Sequence, residues 1–396
     1  MPLVDPAARL RIIVLGYVVR GPLGGLAWHH LHYVAGLAAL GHDVWFLEDS
    51  DDYPGCYNPI LDRTGTDAGY GLDFARRAFE RIDMAERWAY YDARKQAWLG
   101  PASGSAMRIC RSADIVINVS GVNPLRPWIQ DVGVRVFIDT DPGFTQARNI
   151  REERVKRRVL EHTVFFTFAE QVGRGATLPD DGISWRPTRQ PVMLDLWPSR
   201  PPQPDGCFTT VMVWESYPPI DVDGVPLGLK AQSFGPYLEL PRRTDIALEL
   251  ALGGATAPRD LLSANGWRIR DPRGPTRTLD SYQDYIGSSL GEFAIAKHGY
   301  VVTRSGWFSE RSANYLATGR PVVAQDTGFS NIFPTGEGLL AFSTPREALH
   351  ALRDVRSAYD THRARAREIA ETYFDSQVIL TRLLEQSFAH SRSPRQ

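Results

Sequence analysis

Short apolar runs that end in glycine or an acid alternate with stretches of helical spacing along most of this chain. Arg11 to Gly16 (RIIVLG) is apolar without alternation, the pattern of a strand buried on both faces of a parallel sheet. After a glycine-bearing turn, Leu26 to Leu40 repeats at helical intervals, with His30, Tyr33, Leu37 and Leu40 on one face, and Val44 to Leu47 is the next strand. Together these predict a βαβ unit. Ile115 to Val119, Val134 to Ile138 and Val164 to Phe168 extend the same sheet.

From Arg186 to Asp205 the chain is dense in proline and loses its periodicity, which reads as a linker. A second series follows: a strand at Phe208 to Val213, a helix at Thr244 to Leu252, a strand at Trp267 to Ile269 and a short helix at Tyr282 to Ile286. A strand at Tyr300 to Thr303 comes next, then the loop, helix and buried strand of Ser305 to Ala324, and Pro345 to Phe388 is largely helical. The expected fold is therefore α/β, two doubly wound Rossmann-like domains facing a central cleft. Their expected boundaries are 1–190 and 206–374, with 375–396 a helix packing back on the first domain and a disordered tail from His390.

At 396 residues the chain is long for one core, which agrees with two. Lys and Arg number 45 against 46 for Asp and Glu, so no global field recruits nucleic acid, and a nucleic-acid partner is not expected. The basic run Arg148 to Arg158 is broken by Glu152 and Glu153 and reads as a solvated helix face. Cys56, Cys110 and Cys207 lie far apart without metal-ligand or disulfide spacing, and no apolar run is long enough to span a membrane. A cytoplasmic protein with no membrane partner is expected, and a homodimer is left open.

Candidate chemistry falls at the ends of these elements. The start of the Ser305–Ala324 helix offers free backbone N–H groups and a positive dipole end, a seat for a diphosphate. Ser309, Glu310, Arg311 and Ser312 lie at that start, and Asn314, one turn later, is placed for a ribose hydroxyl. Lys230 is positioned to counter phosphate charge, and Gly24 and Gly25 let a ligand approach the backbone. His29, at the start of the first helix, is a general-base candidate, as is Asp139 at the carboxyl end of its strand. Trp28, His30 and Asp141 are assigned to the acceptor side, His30 with a competing role in the core. The aromatics Tyr17, Trp28, Tyr53, Tyr57 and Trp128 suit a planar acceptor. A His29/His32 metal pair lacks a carboxylate nearby in sequence, so no metal is expected. The glycines at 16, 21, 24 and 25 do not form G-x-G-x-x-G, which demotes a nicotinamide dinucleotide.

Gly24-Gly25, a helix and then Gly41-His42-Asp43-Val44 resemble the opening of nucleotide-sugar glycosyltransferases of the GT-B fold. Ser305 to Ala324 resembles their donor motif, and with Gln325-Asp326-Thr327-Gly328 it is similar to a group of uncharacterised bacterial glycosyltransferases. In the positions where retaining members carry two glutamates eight apart, this chain has Gly306 and Asn314. The resemblance implies transfer of a hexose from a nucleotide sugar, UDP-linked, to a hydroxyl of a small acceptor such as a nucleoside or natural product, with no cofactor required. A sugar-nucleotide epimerase or hydrolase of the same fold, or a transferase acting on modified bases in DNA, is the alternative.

Overall fold

The computed structural model describes residues 9–51, 55–201, 206–222 and 224–391. Two parallel sheets organise the chain. In the first, eight strands run in the order Arg186–Pro187, Val164–Thr167, Val134–Asp139, Ile115–Val119, Arg11–Leu15, Asp43–Asp49, Trp88–Asp92 and Ala97–Leu99. Only the last pair, Trp88–Asp92 with Ala97–Leu99, is antiparallel. Arg11–Leu15 sits at the centre, and alternate residues serve opposite faces: Ile12 and Val14 enter one core, Ile13 and Leu15 the other. That is the physical reason its sequence is apolar throughout.

The second sheet has six parallel strands in the order Arg268–Arg270, Leu248–Gly253, Phe208–Val213, Gly291–Ala294, Val322–Gln325 and Leu339–Phe342. In each sheet the strand that comes first in sequence, Arg11–Leu15 or Phe208–Val213, lies inside, and strand order reverses beside it. Such a reversal opens a crevice at the carboxyl ends of the strands, where ligands of this fold class bind.

Two elements depart from the sequence expectation. Thr244 to Leu252 was expected to be helical, yet Leu248–Gly253 is a strand. Leu248, Leu250 and Leu252 point to one core, while Glu249 on the other face meets Arg270 at 2.7 Å. Burial between two parallel strands overrides the helical preference of Leu, Ala and Glu. The strand expected at Tyr300 to Thr303 is instead the short helix His298–Val302, because Gly291–Ala294 already fills that place in the sheet.

The proline-rich segment is pinned rather than loose. Arg186–Pro187 joins the first sheet, Val192 N–H bonds Phe374 O at 2.7 Å, and Trp197 is buried. The chain recrosses at this point, and the Ser376–Ser391 helix lies on Gly24–Ala39. Gly36 permits that contact, since a Cβ there would stand 2.5 Å from Leu380 Cδ1. Of the tail expected to be disordered from His390, His390 and Ser391 continue the Ser376–Ser391 helix, and 392–396 lie outside the described residues.

The Gly24–Ala39 helix also packs against Leu279–Gly287 of the second unit, so one continuous apolar core joins the two. Its entry turn is filled by protein. Gly24 N–H donates to Thr276 O at 2.7 Å, and a Cβ on Gly24 would stand 2.1 Å from Thr278 O.

Candidate functional site

A cavity of about 960 Å³ opens at the carboxyl ends of Phe208–Val213, Leu248–Gly253 and Arg268–Arg270. Gly253 and Gly254 form part of its wall, with Gly254 at φ 102°, a backbone conformation glycine adopts without strain. Leu23, Tyr57 and Asp62 of the first unit complete the wall, and Arg273 reaches across to Asp62 at 3.5 Å. The cavity is thus walled from both sides of the cleft.

Six cations line it: Arg259, Arg270 and Arg273, and a cluster of Lys230, Lys297 and Arg311 in which Lys230 feels the charge of the other two. The three of that cluster are held differently. Arg311 is fixed by an ion pair from Nε to the fully buried Glu292 and by a 2.8 Å bond from Nη1 to Val211 O. Burial opposes the guanidinium charge, but Glu292 outweighs it and raises the pKa. Lys297 donates to Asp141 Oδ1 at 2.8 Å and to the Tyr217 hydroxyl at 2.7 Å. Lys230 has no carboxylate within ion-pair distance among the described residues. Burial, and then the charges of Arg311 and Lys297, lower its pKa to about 7. A surplus of positive charge in a half-enclosed pocket is a site for a polyanion.

The other residues expected on the donor side divide. Ser309 caps the Glu310–Ala317 helix, accepting from Arg311 N–H at 3.2 Å, and Ser309 and Ser312 face a separate void of about 20 Å³. Glu310 stands where both units feel it: its charge adds to the burial that raises Tyr17 and Tyr33, and it partly offsets the lowering of Lys230. Asn314 is buried and turned away from the cavity, its Oδ1 3.0 Å from His32 Nε2. Gly24 and Gly25 lie against Thr278 and the Tyr282 ring, so their missing side chains admit protein, not ligand.

In the first unit, Asp139 does not open onto a cavity. Its carboxylate accepts from Thr145 Oγ1 and Thr167 Oγ1 at 2.7 Å, Asp141 N at 2.9 Å and Gln146 Nε2 at 3.1 Å. Burial pushes its pKa up while these bonds pull it down, and with every acceptor site taken it braces the turn. Asp141, partly exposed, is likewise engaged by protein groups. Besides Lys297, it accepts from the hydroxyls of Tyr217 and Tyr300, and it lies 3.4 Å from Arg148. Burial opposes its charge, but Lys297 and these partners lower its pKa.

His30 is a core residue, bonded through Nδ1 to Leu26 O at 2.9 Å, and burial lowers its pKa to about 3. Trp28 is fully buried between the units, donating to Leu279 O at 3.2 Å. His29 is buried and neutral, its pKa lowered to about 4 by burial, with Nε2 3.4 Å from Ser120 Oγ. Ser120 in turn bonds Thr140 Oγ1 at 2.8 Å and borders a second cavity, of about 440 Å³. Tyr17 lines that cavity and Tyr57 the larger one, while Trp128 packs on Tyr91 and Trp98 away from both. Tyr53 lies outside the described residues. His32 is occupied by Asn314 and Met193 N–H, and among the described residues no group of three or more His, Cys, Asp or Glu is placed to hold a metal.

The cavity-lining residues that sequence reasoning missed are Gly253, Gly254, Asp271 and Arg273. The pair of glycines closing an apolar run was the available signal. It was hidden by reading that run as a helix.

Two Rossmann-like units closed face to face across a ligand cleft define the GT-B class of folds. No protein-family model matches the sequence, and the search of curated proteins returns no match. Among solved structures, AviGT4, a glycosyltransferase involved in avilamycin A biosynthesis, is similar at TM-score 0.51 and 14% identity, over 97% of this chain and 99% of that one. An alpha-glucosyltransferase in complex with UDP and a 13-mer DNA containing an HMU base is similar at TM-score 0.61 and 10% identity, over 96% and 99%. Alr3699/HepE of Anabaena, in complex with UDP and glucose, is similar at TM-score 0.51 and 11% identity, over 96% and 99%. No helix among the described residues is long and apolar enough to cross a membrane.

Proposed function

We propose that the chain is a glycosyltransferase that moves a hexose from a UDP-linked donor to a hydroxyl of a small-molecule acceptor. The observation that carries this reading is the convergence of Lys230, Lys297 and Arg311 on a cavity large enough for a nucleotide sugar. The bond from the sugar's anomeric carbon to the β-phosphate breaks, the acceptor oxygen bonds that carbon, and the departing diphosphate gains negative charge. Fixed cations aimed at that charge stabilise it without reorganising when it forms. Structures of this fold with UDP bound support a UDP-linked donor.

Of the two base candidates, His29 alone has a path to the acceptor side. Ser120, 3.4 Å from His29 and at the rim of the smaller cavity, would pass a proton from the acceptor hydroxyl to the imidazole. The balanced charge of the chain is no argument against a nucleic-acid acceptor, because a protein of this fold holds DNA.

The test is release of UDP from UDP-glucose with and without a pool of hydroxylated small molecules. Acceptor-dependent release is expected. Equally fast release from UDP-glucose alone would instead favour a hydrolase, and interconversion of the sugar an epimerase.

A further inference from the structure

The smaller cavity lies at the strand-order reversal of the first sheet, bordered by the loops that follow Arg11–Leu15 and Ile115–Val119. Its walls combine two chemistries. Tyr17, Phe137, Val155 and Val159 make an apolar surface, and Arg20, Arg148 and Arg158 bring three guanidinium groups against the carboxylates of Asp51 and Glu161.

Two of those arginines are poorly matched by their acids. Arg148 stands 3.4 Å from Asp141, which already takes Lys297 at 2.8 Å, so two cations share one carboxylate. Arg20 stands 3.5 Å from Glu48, whose oxygens are taken by the backbone N–H groups of Val18, Val19 and Arg20 at 2.6, 2.7 and 2.8 Å. Arg20 Nε is buried without a hydrogen-bond partner. Only Arg158 has a close match, Asp51 at 2.9 Å. Arg20 is turned toward Glu48 and Val122 O, the latter at 2.9 Å, so Arg148, which shares its carboxylate, and Arg158 are the guanidinium groups placed for a bound anion.

We propose that this cavity receives the acceptor and that the acceptor carries one anionic group, a carboxylate or a phosphate, on a flat apolar body. The inference rests on reading the chain as a glycosyltransferase and names the substrate class of that reading. The cavity volume, about 440 Å³, fits a molecule of one or two rings. Arginine forks match planar carboxylates in two-point contacts that a neutral ester cannot make.

The experiment uses the full chain. UDP is titrated first by calorimetry, and the UDP-saturated protein is then titrated with 4-hydroxybenzoate, its methyl ester, 4-hydroxyphenyl phosphate and a short DNA duplex. The acid or the phosphate should bind about tenfold or more tighter than the ester, the stronger of the two identifying the anion. Raising salt should weaken the anion and leave the ester unchanged. Arg148→Gln should bring acid and ester to equal affinity, and Arg158→Gln, on a solvent-facing helix, should reduce the difference. Equal affinities in the parent protein, no binding by any small probe, or tighter binding of the duplex would each overturn the proposal. Failure of UDP to bind in the first titration would strike the donor reading instead, so the two failures are distinguishable.

Discussion

Lys297 and Asp141 meet at 2.8 Å across the cleft, the lysine from the loop after Gly291–Ala294 and the aspartate from the loop after Val134–Asp139. The pair joins the two units, and each partner borders different chemistry: Lys297 lines the larger cavity, while Asp141 also holds Arg148 of the smaller one. Removing the cation leaves a partly buried carboxylate held by two phenols and by Arg148 at 3.4 Å. Lys297→Met should therefore cost about 1–3 kcal/mol of stability, measured by urea unfolding. A loss under 1 kcal/mol would mean that the pair is open in solution.

The same pair fixes a pH dependence. The folded pKa of Asp141 lies below its unfolded value, so its contribution is present above the usual carboxylate range and is lost as pH falls through the folded pKa. Asp141→Asn should be less stable than the parent at pH 7, and the gap should narrow as pH drops below about 4. Melting curves at pH 7 and pH 3 measure it, and a constant gap would exclude ionised Asp141 as the source.

Lys230 carries a cost where Asp141 carries a gain, with the same sign of pH dependence. Its folded pKa, about 7, lies below the unfolded value, so between about pH 7 and pH 10 the unfolded chain binds more protons there and stability from this site rises with pH. Lys230→Met should raise the melting temperature of the ligand-free protein at pH 7 and flatten that rise. A melting temperature unchanged at every pH would argue that Lys230 is solvated.

Asn314 separates two readings of the Glu310–Ala317 helix. Its bond to His32 predicts that Asn314→Ala loses about 1–3 kcal/mol by stranding a buried imidazole nitrogen, while nucleotide affinity stays within about twofold. A selective loss of UDP affinity at full stability would return Asn314 to the ribose.

Much of the architecture was legible because buried parallel strands are apolar throughout, as in Arg11–Leu15 and Val322–Gln325. Leu248–Gly253 was not, since its Leu, Ala and Glu residues favour a helix and only pairing with Phe208–Val213 makes it a strand. Lys230 and Arg311 were legible as cations at element ends. Gly24, Gly25 and Asn314 meet protein for one shared reason: motif positions around a cleft serve contacts between the units as readily as contacts to a ligand, and sequence spacing is the same for both.

The central claim is that Lys230, Lys297 and Arg311 form a seat for the diphosphate of a nucleotide sugar. Calorimetric titration of UDP and of uridine into the parent protein and Arg311→Ala tests it most directly. The account predicts that UDP binds the parent at least about tenfold tighter than uridine and that Arg311→Ala, still folded, reduces UDP to near the uridine affinity. Equal affinities for UDP and uridine in the parent, or an undiminished UDP affinity in Arg311→Ala, would contradict it.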